Sequence, residues 1–296
     1  PQLVPRRRII PVRERIDSLG SELVPLDREA TSLAGRWFQE EGVQSVAVAF
    51  LFSFLNPDHE RTARELLGQC FPEAAISLSS DVLPEVRAYE RISTTVLNAY
   101  VSPLLAAYLG SLERRLRGNG FAGALLIVQS NGGVMAPEMS ARFAVHTALS
   151  GPAAAPRAAA YYCDRHHRRD FITIDVGGTS FDVSMARDGT PDVTVEGQIA
   201  GYRIAVPMLD IHTIGAGGGS VGWMDELGLL RVGPESMGAD PGPACYGLGG
   251  QEPTVTDADL LLGYLDGQGF WGGRMELDVK RAAQAVTEKI AGPLGI

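Results

Sequence analysis

The sequence predicts an α/β protein with mixed sheets, and two observations carry that prediction. Between Leu26 and Leu78 a helical repeat, a continuous apolar run, a second helix and a short apolar run follow one another, the alternation of a partly parallel sheet. Beyond Phe171 the pattern changes to short β-branched runs cut by Gly- and Asp-rich turns, which predicts a mainly antiparallel region.

The elements follow in chain order. Arg7–Ile16 and Glu22–Leu26 read as strands joined at Asp17-Ser18-Leu19-Gly20. Leu26, Ala30, Leu33, Ala34, Trp37 and Phe38 recur at helical spacing, with Asp27 as N-cap and Gly42 as stop. Ser45–Phe54 reads as one strand buried on both faces, Asp58–Cys70 as a helix, and Ala74–Leu78 as a strand. Val82–Leu116 reads as mostly helix, with Leu97, Tyr100, Leu104, Tyr108, Leu109 and Leu112 on one apolar face. Pro103 should break or kink it, because proline lacks the N–H and crowds the preceding turn. A crossing between domains is placed near Asn98–Pro103. Ala124–Gln129 reads as a strand, and Ser150-Gly151-Pro152 as the start of an Ala-rich helix capped by Ser150. Strands are expected at Val193–Val195, Arg203–Val206 and Leu209–Ile214, and a hairpin at Val221–Met224 and Leu229–Val232. Helices are expected at Asp257–Leu265, with Asp257 as N-cap, and at Val279–Ile290.

Composition narrows the class. Over 296 residues, 45% hydrophobic and 21% charged content suits a large buried core, and a net charge of −9 disfavours nonspecific nucleic-acid binding. The longest apolar run, Val46–Phe52, is too short to span a bilayer. Cys70, Cys163 and Cys245 are odd in number and far apart, which points to reduced thiols and a cytoplasmic location. The chain opens on Pro1 with no initiator Met and no leader, and is expected to be a fragment or a processed chain.

The chemistry concentrates at Thr173-Ile174-Asp175-Val176-Gly177-Gly178-Thr179-Ser180-Phe181-Asp182-Val183-Ser184-Met185. A strand, an acid, two glycines, two hydroxyls and a returning strand suit a phosphate: turn N–H groups, Thr179 and Ser180 donate, while Asp175 and Asp182 serve Mg²⁺ or order the attacking group. An ordinary glycine hairpin accounts for the same residues. Gly215-Ala216-Gly217-Gly218-Gly219-Ser220 follows a strand, but Ser220 stands where a dinucleotide fingerprint needs glycine and a strand follows instead of a helix. Close backbone approach to a nucleotide is the better functional reading, and a tight turn the structural one. Asp210, Asp225, Asp240 and Asp257 are candidate ligands or, more simply, caps and turn residues. Cys245 in its Gly/Pro-rich loop is a candidate nucleophile, and His212 faces a site or a core. No Cys/His metal pattern is present.

Thr173–Met185 resembles the second phosphate loop of the actin, sugar-kinase and heat-shock-chaperone ATPase superfamily. The blocks Pro207–Ser220 and Gly233–Gly247 resemble, more narrowly, the hydantoinase A/oxoprolinase family, which includes N-methylhydantoinase, 5-oxoprolinase and acetone and acetophenone carboxylase subunits. The resemblance implies two ribonuclease-H-like, actin-like ATPase domains. Residues 1–97 would be the later part of the first, incomplete at its N-terminus and exposing a sheet edge, and residues 98–296 the hydantoinase A/oxoprolinase domain. It implies ATP and Mg²⁺ as cofactors and a small cyclic amide or imide as substrate, opened after phosphoryl activation of the carbonyl. A carboxylase subunit and a nonenzymatic ATP-switched module are the alternatives. A companion hydantoinase B-type subunit is implied, with no nucleic-acid or membrane partner, and self-association stays open. Residue by residue, it assigns catalysis to Asp175 and Asp182 and the metal to Asp175. It assigns nucleotide contacts to Gly177, Gly178, Thr179, Ser180, Gly215, Gly217, Gly218 and Gly219. The family's first phosphate hairpin does not precede Gln2, so the chain is expected to hold half a nucleotide clamp and to bind ATP weakly.

Overall fold

The computed structural model describes residues 2–199 and 201–296. It forms two compact units, each assembled from separated stretches: residues up to Ala154 with Val193–Leu209, and Ala155–Asp192 with Asp210–Ile296. By packing, therefore, the units do not divide at residues 97/98. That position lies inside a long helix of the first unit.

The chain begins with a hairpin of β1 (Arg15–Ile16) and β2 (Glu22–Val24), shorter than the sequence suggests. Helix α1 (Arg28–Glu40) is capped by Asp27, whose carboxylate accepts the Ala30 N–H at 2.9 Å, and the chain leaves it through Gly42 at φ +65°. β3 (Ser45–Val48), α2 (Asp58–Cys70) and β4 (Ala75–Leu78) make a parallel β-α-β unit. The strand expected to run to Phe54 stops at Val48 for a visible reason. Beyond it, side chains rather than a ladder satisfy the backbone: buried Glu60 accepts the Phe50 N–H at 2.9 Å, and Arg91 donates to the Phe50 and Leu51 carbonyls at 2.8 and 2.7 Å. Leu26, Val46, Val48, Ala63, Leu66, Leu67 and Leu78 form the core between these elements.

After α3 (Ser79–Val82), helix α4 (Ala88–Gly118) runs through Pro103 without a break. Tertiary anchoring overrides the local signal, and its basis is polar. Arg91, Thr94, Thr95 and Asn98 are completely buried, whereas Tyr100, Leu104 and Tyr108, expected inside, are exposed. Asn98 donates to Ser77 Oγ and to the Arg142 carbonyl, both at 2.9 Å, and accepts the Val145 N–H at 3.0 Å. All of these buried polar groups except Arg91 Nε thereby have partners, and the polar face of α4 can pack inward. By length and composition alone α4 is long and apolar enough to cross a membrane, unlike the Val46–Phe52 run.

β5 (Ile127–Val128) and β6 (Val134–Met135) form a small hairpin ahead of α5 (Pro137–Arg142). Helix α6 (Ser150–Arg165) begins at Ser150 itself rather than after it. The chain then forms β7 (Phe171–Val176), β8 (Phe181–Arg187) and β9 (Thr190–Pro191). Asp188 and Gly189, at φ +49° and +77°, close the two-residue turn from β8 to β9. β10 (Val193–Thr194), β11 (Gly197–Ile199), β12 (Tyr202–Ile204) and β13 (Met208–Leu209) return to the first unit, where Ile204, Val206 and Met208 pack with Val82, Leu97 and Val145. β14 (Ile211–Ile214) completes a four-stranded antiparallel sheet in the second unit, in the order β14-β8-β7 with β9 also on β8. The hairpin of β15 (Ser220–Met224) and β16 (Leu230–Ser236) follows, then α7 (Val255–Leu261) and α8 (Val279–Val286). Cys245, Leu260, Leu277 and Ala282 make the core here.

One buried ionic contact makes the first unit's stability pH-dependent. His59 Nδ1 lies 2.9 Å from Glu14 and Nε2 lies 2.8 Å from Glu22, so α2 is tied to the β1–β2 hairpin. Burial pulls the imidazole pKa down, but hydrogen bonds and charge from both glutamates more than offset it, and the pKa is raised. The stabilisation is therefore full below the unfolded value of about 6.5 and is lost as pH rises through the folded value. Urea unfolding between pH 5.5 and 9 should show stability falling across that window, and His59→Gln should flatten the fall.

Candidate functional site

The candidate site lies within the second unit. β7 and β8 pair antiparallel with Asp175 opposite Asp182, and β14 pairs with the other edge of β8 with Thr213 opposite Asp182. Because side chains alternate along a strand, Asp175, Asp182 and Thr213 stand in one row across three strands on one face. Directly opposed carboxylates repel unless something bridges or orders them. Asp182 is ordered: Oδ2 accepts the Ser180 hydroxyl at 2.8 Å and Oδ1 accepts the Thr213 hydroxyl at 2.6 Å. Asp175 is exposed and, among the described residues, its carboxylate has no hydrogen-bond or ion-pair partner.

At the tip of the hairpin, the Gly177 N–H donates to the Ser180 carbonyl at 2.9 Å. Among the described residues, the N–H groups of Gly178, Thr179 and Ser180 have no backbone acceptor. Neither Gly177 nor Gly178 has a positive φ, so the unusual backbone expected from the sequence is not why glycine stands there. A Cβ on Gly178 would meet nothing within 4 Å. The fold therefore leaves that space open.

The second Gly-rich turn is stacked on the first. The Gly218 N–H donates to the Gly177 carbonyl at 2.9 Å and the Gly219 N–H to the Gly178 carbonyl at 2.6 Å. A Cβ on Gly217 would lie 2.5 Å from the Ser180 nitrogen and 2.6 Å from Thr179 backbone atoms, and one on Gly219 would lie 3.0 Å from the Gly178 oxygen. Within the fold, Gly217–Gly219 thus allow backbone to lie on backbone. The N–H groups of Gly218 and Gly219 are used in that contact and are not open donors. Gly215 stands off the stack, its carbonyl facing Gly233. From behind, Thr256 holds the turn, donating its N–H and hydroxyl to the Gly218 carbonyl at 2.9 and 2.8 Å.

The remaining candidates resolve into structural roles. Cys245 is fully buried, and burial first, then Asp257, pushes its thiol far up, so it has no thiolate to offer as a nucleophile. Asp257 is not an N-cap but the third residue of a capping box begun by Thr254. It also accepts the Ala244 and Cys245 N–H groups at 3.2 and 2.7 Å, which ties the Gly/Pro-rich loop to α7. Asp225 closes the β15–β16 turn by accepting from Leu229, Arg231 and Leu227, contacts that hold its carboxyl below the ordinary range. His212 is exposed on the face opposite Thr213, 4.0 Å from Asp210, and Asp240 precedes a cis peptide to Pro241. No cluster of three or more His, Cys, Asp or Glu side chains suits a metal among the described residues. The sequence reading missed Thr213 and Thr256. The signal for Thr213 was a lone hydroxyl inside the strand Ile211-His212-Thr213-Ile214.

The two glycines should respond oppositely to alanine. Gly217→Ala overpacks the stack and should cost about 1–3 kcal/mol. Gly178→Ala should change stability by less than about 0.5 kcal/mol. Thermal denaturation of the two variants checks both.

Similarity to known proteins identifies the family. The Hydantoinase/oxoprolinase model matches residues 91–296, and the Hydantoinase/oxoprolinase N-terminal region matches residues 1–71. Caprolactamase subunit alpha of Pseudomonas jessenii is 42% identical over 294 residues, covering 99% of this chain and 42% of that protein. Acetophenone carboxylase gamma subunit of Aromatoleum aromaticum is 38% identical over 301 residues, covering 99% of this chain and 41% of that one. The crystal structure of the ATP-dependent caprolactamase from Pseudomonas jessenii superposes with a TM-score of 0.85 at 42% identity, covering 100% of this chain and 43% of that one. The chain thus spans about two fifths of the length of these relatives. On the match across residues 91–296, the chain belongs to the hydantoinase/oxoprolinase family.

Proposed function

We propose that this chain contributes the nucleotide-binding part of an ATP-dependent enzyme that opens a cyclic amide or imide. The observation that carries the reading is the β7–β8 tip, just beyond Asp175 in the chain, where among the described residues the Gly178, Thr179 and Ser180 N–H groups have no backbone acceptor and the space beyond Gly178 is open. Adjacent free amides in a turn suit phosphate oxygens. The likeness to caprolactamase supports a lactam-type substrate, and the two units fit two actin-like ATPase domains.

The chemistry assigned to this chain is phosphoryl transfer. The amide oxygen of the substrate attacks the γ-phosphorus of ATP, the bridging P–O bond breaks, and ADP leaves. Water then adds to the activated carbon, the ring C–N bond breaks to release the amine and leave an acyl phosphate, and a second water hydrolyses the acyl phosphate to carboxylate and free phosphate. Catalysis of the first step is positioning plus charge stabilisation. The hairpin amides and the Thr179 hydroxyl would hold phosphate oxygens, while Asp175, with Asp182 opposite it, would hold a Mg²⁺. Exposed Asp175 and half-buried Asp182 opposite it would suit that ion, whose charge would neutralise the phosphates and relieve the repulsion across the strands. Gly217–Gly219 keep the hairpin in place and line the nucleotide's approach, with Gly215 at the start of that turn. A companion B-type subunit carries the later steps. The unpaired Cys70, Cys163 and Cys245 thiols fit a reducing cytoplasm.

The likeness to acetophenone carboxylase supports a second reading, in which the activated carbonyl compound is carboxylated instead of hydrolysed. Products separate the two: ring opening with release of free phosphate, or bicarbonate fixed into a ketone.

Asp175→Asn in the full-length protein should lower substrate-dependent phosphate release about 10²–10³-fold, the scale of a lost charge-stabilising group. Unchanged turnover would remove Asp175 from the chemistry.

A further inference from the structure

We infer that Thr213 is a positioning residue for the metal and phosphate chemistry of the β7–β8 hairpin, acting through Asp182. The inference rests on the reading under Proposed function and deepens it. Thr213 is on a different strand from both acids and lies outside the hairpin that contains them. It nevertheless stands in register with Asp182 and donates its hydroxyl to Oδ1 at 2.6 Å. Ser180, two residues before Asp182, donates to Oδ2 at 2.8 Å. The two donors approach different oxygens of one carboxylate, which fixes the side-chain torsions of Asp182 and the plane of its carboxylate.

A consequence follows for Asp175. Its carboxylate has no protein partner among the described residues, while its opposite number is held from two sides. The pair is therefore asymmetric: one acid is fixed and the other is free to move onto a ligand. A cation entering the row meets a prearranged oxygen from Asp182 and recruits Asp175. Outer groups that orient a ligand carboxylate usually matter nearly as much as the ligand itself.

The test compares Thr213→Val, which keeps the shape and removes the donor, with Thr213→Ser, which keeps the donor. Both are made in the full-length protein. Binding of ATP is measured calorimetrically at a series of Mg²⁺ concentrations and without Mg²⁺. Thr213→Val should raise the Mg²⁺ concentration for half-maximal effect by about 10-fold, with metal-free ATP affinity unchanged, and Thr213→Ser should restore the wild-type requirement. A Mg²⁺ requirement unmoved by Thr213→Val would overturn the inference. So would a Thr213→Ser variant as impaired as Thr213→Val, because the hydroxyl would then not be the operative group. If Thr213→Val does not fold, Ser180→Ala decides: a raised Mg²⁺ requirement supports positioning of Asp182 from two sides, and an unchanged one refutes it. A wild-type protein whose ATP binding ignores Mg²⁺ would instead sink the parent reading, and this one with it.

Discussion

The second unit depends on one interaction, the stacking of the Gly217–Gly219 turn on the Gly177–Ser180 tip. Two amide-to-carbonyl hydrogen bonds join the loops, and glycine is required wherever a Cβ would strike the opposite backbone. The contact consumes the carbonyls of Gly177 and Gly178 and leaves the amides of Gly178, Thr179 and Ser180 without backbone partners. A set of donors at a turn, with its acceptors tied off behind, is polarised toward anions. The stack is supported in turn by Thr256 at the start of α7, whose capping box also anchors the Cys245 loop through Asp257. Residues that looked like candidate chemistry in the sequence thus serve to hold the chemistry in place.

Much of the hairpin was legible because its information is local. The β-branched run from Phe171 to Val176, the run from Phe181 to Ala186 and the two glycines between them set the strands, and register follows from the short turn, but the burial such a run suggests is not met, since Ile172, Ile174 and Val176 are exposed. Thr213 was not legible, because its meaning depends on β14 pairing with β8, a contact between segments separated by five strands in sequence. The purpose of Gly217–Gly219 was half visible: smallness could be read, but not the backbone it makes room for.

Helix α4 shows the opposite failure. Its apolar residues suggested an inward face, of which Leu97 and Leu109 are buried, yet Arg91, Thr94, Thr95 and Asn98 are buried with them while Tyr100, Leu104 and Tyr108 are exposed. A periodicity argument ranks residues by hydrophobicity and cannot see that Ser77, Glu85, Phe50, Leu51, Arg142 and Val145 supply partners for them. Once those partners exist, burial of the polar face carries no unsatisfied group beyond Arg91 Nε among these side chains. The same network ends β3 early, so a strand that read as ten residues in sequence becomes Ser45–Val48.

The measurement that tests the account most directly is an amide-resolved NMR titration of the full-length protein, ¹⁵N-labelled at Gly, Thr and Ser, with Mg²⁺ and ATP. The account predicts that the Gly178, Thr179 and Ser180 amides shift first and furthest, while those of Gly218 and Gly219, already bonded to the hairpin, move little. Saturable nucleotide binding that leaves the Gly178–Ser180 amides unmoved would contradict it, and the hairpin would then be framework alone.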